Sequence, residues 1–206
     1  MKKVKPKRKM KKGGGSRKGS AFERQICIEL SEWFSEGKRT DLFWRNLGSG
    51  ARSTVKSKKG ISIANSAGDI GYLDVAGKPL TDKITFELKA GYSKAETTSL
   101  VDSLAHQKSP QLAQFIEQAI NSSKQANTPY WAVIQKRNQK KVLIHVPLHF
   151  ILDVRKSTSS LPVWAVTPSQ ETTYKDKLGD YVFVHTMPFE LFCKNMPVSF
   201  FHDNPK

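Results

Sequence analysis

The sequence predicts an α/β fold, and three observations lead there. Segments 20–34 and 110–120 repeat apolar residues at helical spacing, segment 84–89 alternates apolar and polar residues, and the elements follow the order helix, three strands, helix, two strands. A length of 206 residues suits one domain with an appendage, and 38% hydrophobic with 10% aromatic residues is a globular composition. We expect a basic arm without structure of its own at 1–18, a core at 19–150 and a β-rich C-terminal accessory extension at 151–206.

Ser20-Ala21-Phe22-Glu23 reads as a capping box that opens the first helix. Phe22, Ile26, Leu30, Trp33 and Phe34 make its apolar stripe, and Gly37 marks its end. Leu42 to Leu47 reads as a short strand closed by Gly48-Ser49-Gly50, followed by a polar, Lys-rich loop to residue 67. Ile70–Val75 and Ile84–Lys89 read as a hairpin around a turn with Gly77 and Pro79. On the second strand Ile84, Phe86 and Leu88 face one way, Thr85, Glu87 and Lys89 the other.

Ser109-Pro110 caps a second helix with its apolar stripe at Leu112, Phe115, Ile116, Ala119 and Ile120. Tyr130–Lys136 and Lys141–Val146 form a hairpin around Arg137-Asn138-Gln139. Short strands at Val163–Val166 and Tyr181–His185 and a short helix at Phe189–Cys193 complete the pattern. Lys141-Val-Leu-Ile-His145 and Tyr181-Val-Phe-Val-His185 are similar, each with a proline downstream.

The chain carries 34 basic against 18 acidic residues, a net charge of +16, which points to a polyanionic partner, most often nucleic acid. Residues 1–18 hold ten Lys and Arg and no acid, leaving 24 basic and 18 acidic residues, a net +6, for the rest. Such an arm suits phosphate contacts, which give affinity without sequence choice. Cys27 and Cys193 are too few for a disulfide framework, no apolar run is long enough for a membrane span, and no phosphate-binding loop of the NTPase type occurs.

The chemistry concentrates on the polar face of strand 84–89. Glu87 and Lys89 stand two residues apart on it, and in the expected hairpin Asp69 lies beside them. Two carboxylates close together repel, and a divalent cation relieves that repulsion; Mg2+ takes hard oxygen ligands, usually carboxylates, water and substrate phosphate. A neighbouring lysine can orient or activate water, or screen charge on the phosphorus. The set describes a metal-dependent phosphodiesterase. Asp74 and Asp82 are rival acids, ranked lower because they lie further from the Lys89 end.

Gly68-Asp69 … Glu87-Leu88-Lys89 resembles the signature of the PD-(D/E)XK nuclease superfamily, whose restriction-endonuclease-like core has a mixed central sheet in the order αβββαβ. Arg17-Lys18-Gly19, Glu23-Arg24 and Arg45 … Gly48-Ser49-Gly50 resemble archaeal-type Holliday junction resolvases and related phage endonucleases over residues 17–146. The resemblance implies Asp69, Glu87 and the Leu88 backbone carbonyl as ligands of Mg2+, with Mn2+ as a substitute. It implies Lys89 as the water-activating or charge-stabilising residue, Glu23 as an extension of the acidic site and Ser49 on a substrate-contacting loop. Arg17, Lys18, Arg24, Arg45 and Arg52 are the expected DNA-binding residues. Gly68 departs from the usual proline, and residues 147–206 have no counterpart in a minimal resolvase.

The expected function is a Mg2+-dependent DNA endonuclease, with branched DNA such as a four-way junction as substrate and a homodimer as the working form. The alternatives are a non-catalytic basic nucleic-acid-binding protein, or the same chemistry on duplex, DNA ends or RNA. No nucleotide cofactor or membrane partner is expected. The expected location is the cytoplasm, or the nucleus for a eukaryotic or eukaryotic-virus source. His145 and His149 supply only half a zinc ligand set, and Cys27 and the four tryptophans (Trp33, Trp44, Trp131, Trp164) are expected in the core.

Overall fold

The computed structural model describes residues 14–46, 67–92, 111–157, 170–175 and 181–202. The basic segment 1–13, the loop containing Gly48-Ser49-Gly50 and Arg52, the Ser109-Pro110 cap and the expected strand Val163–Val166 lie outside the described residues.

Helix α1 (Gly14–Phe34) buries Phe22, Ile26, Leu30 and Phe34, one residue per helical turn. It starts earlier than expected, so Ser20 is interior to the helix and is not its cap. Its hydroxyl and the Glu23 carboxylate, one turn apart on the same face, instead both receive the Arg45 guanidinium, at 2.8 and 3.1 Å. The helix ends in a Schellman arrangement: Gly37 N–H bonds Glu32 O at 2.6 Å and Glu36 N–H bonds Trp33 O at 3.1 Å, with Glu36 at φ 54° and Gly37 at φ 80°. The buried Ser31 hydroxyl donates to Cys27 O and accepts from Leu42 and Phe43 N–H, which ties the returning chain to the helix.

Strand β1 (Phe43–Arg45) pairs antiparallel with β2 (Ile70–Tyr72), Arg45 opposite Ile70 and Trp44 opposite Gly71. The hairpin expected between residues 70–75 and 84–89 does not form. Asp74 caps a 3-10 turn (Val75–Gly77), and α2 (Lys78–Lys83) follows with Pro79 in its first turn and Leu80 fully buried. A helix anchored by Leu80 replaces the turn, so β2 is free to pair with β1.

Strand β3 (Ile84–Tyr92) opens a five-stranded sheet in the order β3-β4-β5-β7-β6. It lies parallel to β4 (Tyr130–Arg137), a connection that needs a crossover, and α3 (Gln111–Ala126) lies within it. The hairpin of β4 with β5 (Val142–Pro147) forms as expected. Helix α4 (Leu148–Ser157) leads on to β6 (Gln170–Lys175), β7 (Tyr181–Pro188), α5 (Phe189–Asn195) and α6 (Ser199–His202).

Two cores cover the two faces of the sheet. On one side α3 packs Leu112, Phe115, Ile116 and Ala119 on Trp131, Val133 and Val184. On the other, α1 and the C-terminal helices gather Ile26, Leu30, Phe86, Ile134, Phe150, Phe192 and Phe201 around an aromatic centre. This is an α/β fold with a mixed central sheet, consistent with a restriction-endonuclease-like core. Residues beyond 150 share that sheet and that aromatic core. The two similar segments, 141–145 and 181–185, are adjacent antiparallel strands, each running through a proline into a helix. Trp131 is buried and Trp33 packs against the core, but Trp44 is 42% exposed, because alternation along β1 turns it away from the core that Phe43 enters.

Candidate active site

Among the described residues strand β3 ends the sheet, so one of its edges is open. Asp69, the residue before β2, fills that edge: its N–H bonds Phe86 O at 2.8 Å, and its carboxylate accepts the Leu88 N–H at 2.8 Å. Backbone groups of a strand alternate in direction, so the Leu88 carbonyl lies on the same edge as its N–H, beside Asp69. The approach is possible because residue 68 is glycine. Gly68 has φ +71°, and a Cβ there would sit 2.6 Å from Phe86 O and 2.7 Å from Thr85 Cγ2. The departure from proline before the aspartate thus has a local steric reason.

Glu87 projects to the α3 side and is 2% exposed. Its Oε1 accepts from Lys89 Nζ at 2.5 Å and from Gln118 Nε2 at 2.6 Å, while Gln118 Oε1 accepts from Lys89 Nζ at 2.9 Å. The ammonium also lies 5.3 Å from the centre of the Phe115 ring. Burial first, and the Asp69 charge second, push the Glu87 carboxyl up from 4.5 to about 7, against the pull of Lys89. The Asp69 carboxyl is thus close enough to Glu87 to oppose its ionisation. Two crowded carboxylates with one carbonyl alongside are hard oxygen donors that could hold Mg2+ or Mn2+. No cluster of three His, Cys, Asp or Glu suited to a metal occurs among the described residues.

The first helix borders this site. The buried Cys27 thiol is raised to about 12 by burial, then by Glu23, with Arg45 opposing and Asp69 adding. Glu23 reaches the site's border through Arg45, which engages its carboxylate at 3.1 Å and stands opposite Ile70, the residue after Asp69. Arg45, expected on DNA, here joins β1 to α1, and Arg24 is exposed on α1. Arg17 and Lys18 fall within α1, and Ser49 and Arg52 lie outside the described residues.

The rival acids have other occupations. Asp74 caps Ala76 N–H at 2.9 Å and pairs with Arg39 at 2.6 Å, and these contacts lower its pKa in that order. Asp82 pairs with Lys78 one turn away. His145 is buried against Thr186 at 2.8 Å, and burial pushes it down to about 3.

Gln118 was not visible in the sequence. Its signal is only positional: it lies three residues after Phe115 on a helix whose apolar stripe packs on β4. Which polar residue bordering that stripe meets Glu87 depends on how the helix crosses the sheet.

A family profile described as Phage putative PDDEXK endonuclease matches residues 14–199. The chain belongs to this family. No curated protein and no solved structure matches the chain. Membership in a PD-(D/E)XK family makes a nuclease acting on DNA the general reading, and such nucleases generally use divalent metals. The match includes residues 147–199, which the resolvase resemblance left out. Among the described residues no helix is long and apolar enough to cross a membrane.

Proposed function

We propose that this PD-(D/E)XK family member is a Mg2+-dependent DNA endonuclease whose site is Asp69, Glu87, Leu88 O and Lys89. One observation carries the reading: two adjacent carboxylates, one of them buried with its pKa raised to about 7, share a site with a lysine 2.5 Å from the buried one. A stabilising salt bridge needs one acid; the second acid adds repulsion that is relieved by taking up a proton, as the raised Glu87 pKa shows, or by a divalent cation, which leaves both carboxylates charged.

The bound cation would supply Lewis-acid polarisation of a phosphate oxygen and a more acidic water. Asp69 and Glu87 hold it, each fixed by a second contact: Asp69 by the Leu88 N–H, Glu87 by Gln118. Lys89, held by Glu87 and Gln118, presents its ammonium to the attacking water or to the charge that develops on phosphorus. Glu23 extends the acidic rim from α1, and the Ser49 loop contacts the substrate. Arg17, Lys18, Arg24, Arg45 and Arg52 bind phosphates, helped by the eight Lys and Arg of residues 1–13. A four-way junction cut by a homodimer is the substrate and assembly put first, on the resolvase resemblance of 17–146.

The test is cleavage of labelled junction and duplex DNA in Mg2+ and in EDTA. Mg2+-dependent cleavage lost in Asp69→Ala and Lys89→Ala is expected. Cleavage that survives either change removes the site, and salt-sensitive binding without cleavage favours a binding protein.

A further inference from the structure

Gln135 on β4 is the direct cross-strand neighbour of Lys89 on β3. Paired residues of adjacent strands share a face at a strand spacing of about 4.8 Å, so its side chain stands on the Glu87 and Lys89 side of the sheet. It is 1% exposed, and among the described residues neither its Nε2 nor its Oε1 has a hydrogen-bond partner. Buried amides without partners are costly and rare. A methionine of similar volume would fill the space without that cost.

Lys89 supplies the reason for tolerating it. Its ammonium rests on Glu87 Oε1 and Gln118 Oε1. A cation held by Asp69 and Glu87 draws on the same carboxylate and repels the ammonium. The Lys89 side chain is only 14% exposed, so an ammonium that loosens from Glu87 gains from a protein acceptor, and the neighbouring oxygen without a partner among the described residues is on Gln135, across the strand pair.

We propose that Gln135 is a positioning residue for Lys89, whose ammonium it receives when the Glu87 carboxylate engages a divalent cation. The proposal rests on the cation reading above and goes beyond it: Lys89 has two stations, Glu87 with Gln118 at rest, and Gln118 with Gln135 when the site is charged. Cation entry and placement of the working amine thereby become one event.

The experiment compares the full chain with Gln135→Met and Gln135→Glu. It measures melting temperature in EDTA, Mg2+ affinity by calorimetry, and single-turnover cleavage of a labelled junction and its duplex arms. Gln135→Met is expected to melt ~3 °C higher, as removal of a partnerless buried amide should give. Its Mg2+ affinity falls by about fivefold or more, because the cation-bound state has lost the acceptor for the displaced ammonium, and cleavage slows by about tenfold or more, the effect of a misplaced group. Gln135→Glu, which restores an acceptor, recovers cleavage over Gln135→Met.

Parallel loss of melting temperature and rate in Gln135→Met would show an amide satisfied by a buried water, and overturns the proposal. So does an unchanged rate, or no recovery in Gln135→Glu. If the unmodified chain binds no Mg2+, the cation reading itself fails and takes this proposal with it; if Mg2+ binds and only the Gln135 results disagree, the cation reading stands.

Discussion

Replacing Glu87 by Gln tests the electrostatics of the site without any DNA. The native carboxyl titrates near 7, against 4.5 for an ordinary glutamate, because burial and Asp69 both oppose its charge. Between those two values the folded state binds more protons than the unfolded one, so stability falls as pH rises through the window. The shift corresponds to about 3 kcal/mol lost between pH 4.5 and 7, on the order of 10 °C in melting temperature for a chain of this size. Glutamine mimics the protonated acid and keeps a contact with Gln118. In EDTA the two proteins should therefore melt alike at pH 5, and Glu87→Gln should melt higher at pH 8. The difference between the two proteins is the measurement, since all other carboxyls titrate in both. A difference that is zero at pH 8, or largest at pH 5, refutes the claim that this buried carboxylate is held charged against its surroundings, and the case for a cation there loses its basis.

Gly68→Ala should destabilise the fold by about 2–3 kcal/mol and reduce Mg2+ affinity, read by denaturant melts and calorimetry, because the added methyl meets Phe86 O while φ is positive. Asp74→Ala should lower the melting temperature slightly through its missing cap and Arg39 pair and leave Mg2+ affinity intact, whereas Asp69→Ala should abolish it; the same calorimetric titration checks both. Removal of residues 1–13, with eight Lys and Arg and no acid, should weaken DNA binding and lower the slope of log affinity against log salt by about 0.9 for each phosphate no longer neutralised, with single-turnover cleavage at saturating DNA unchanged.

The sequence made the polar face of β3 legible, since strict alternation places Glu87 and Lys89 together whatever the neighbouring strands do. It also placed Asp69 beside them, but by another route. The expected hairpin would have delivered Asp69 through strand pairing; the structure delivers it through one backbone bond and one carboxylate contact on an open edge. The difference came from residues 75–83, where Gly and Pro read as a turn while Leu80 had a core to fill. Ser20 and Glu23 fit a cap equally well as a pair for Arg45, and only a partner 22 residues from Glu23 decides between them. Gln118 and Gln135 were out of reach because their place depends on a parallel register between β3 and β4, set across a crossover that no local pattern encodes.

The way Asp69 occupies the edge of β3 has a consequence for how the molecule can fail. An uncovered terminal strand is a template on which other chains can stack. Here the peptide that brings in the acid also acts as a stopper, occupying Phe86 O and Leu88 N–H. Lesions that unhook it leave a protein that is both inactive and prone to self-association, so poor solubility and absent activity should travel together among variants at residues 68 and 69.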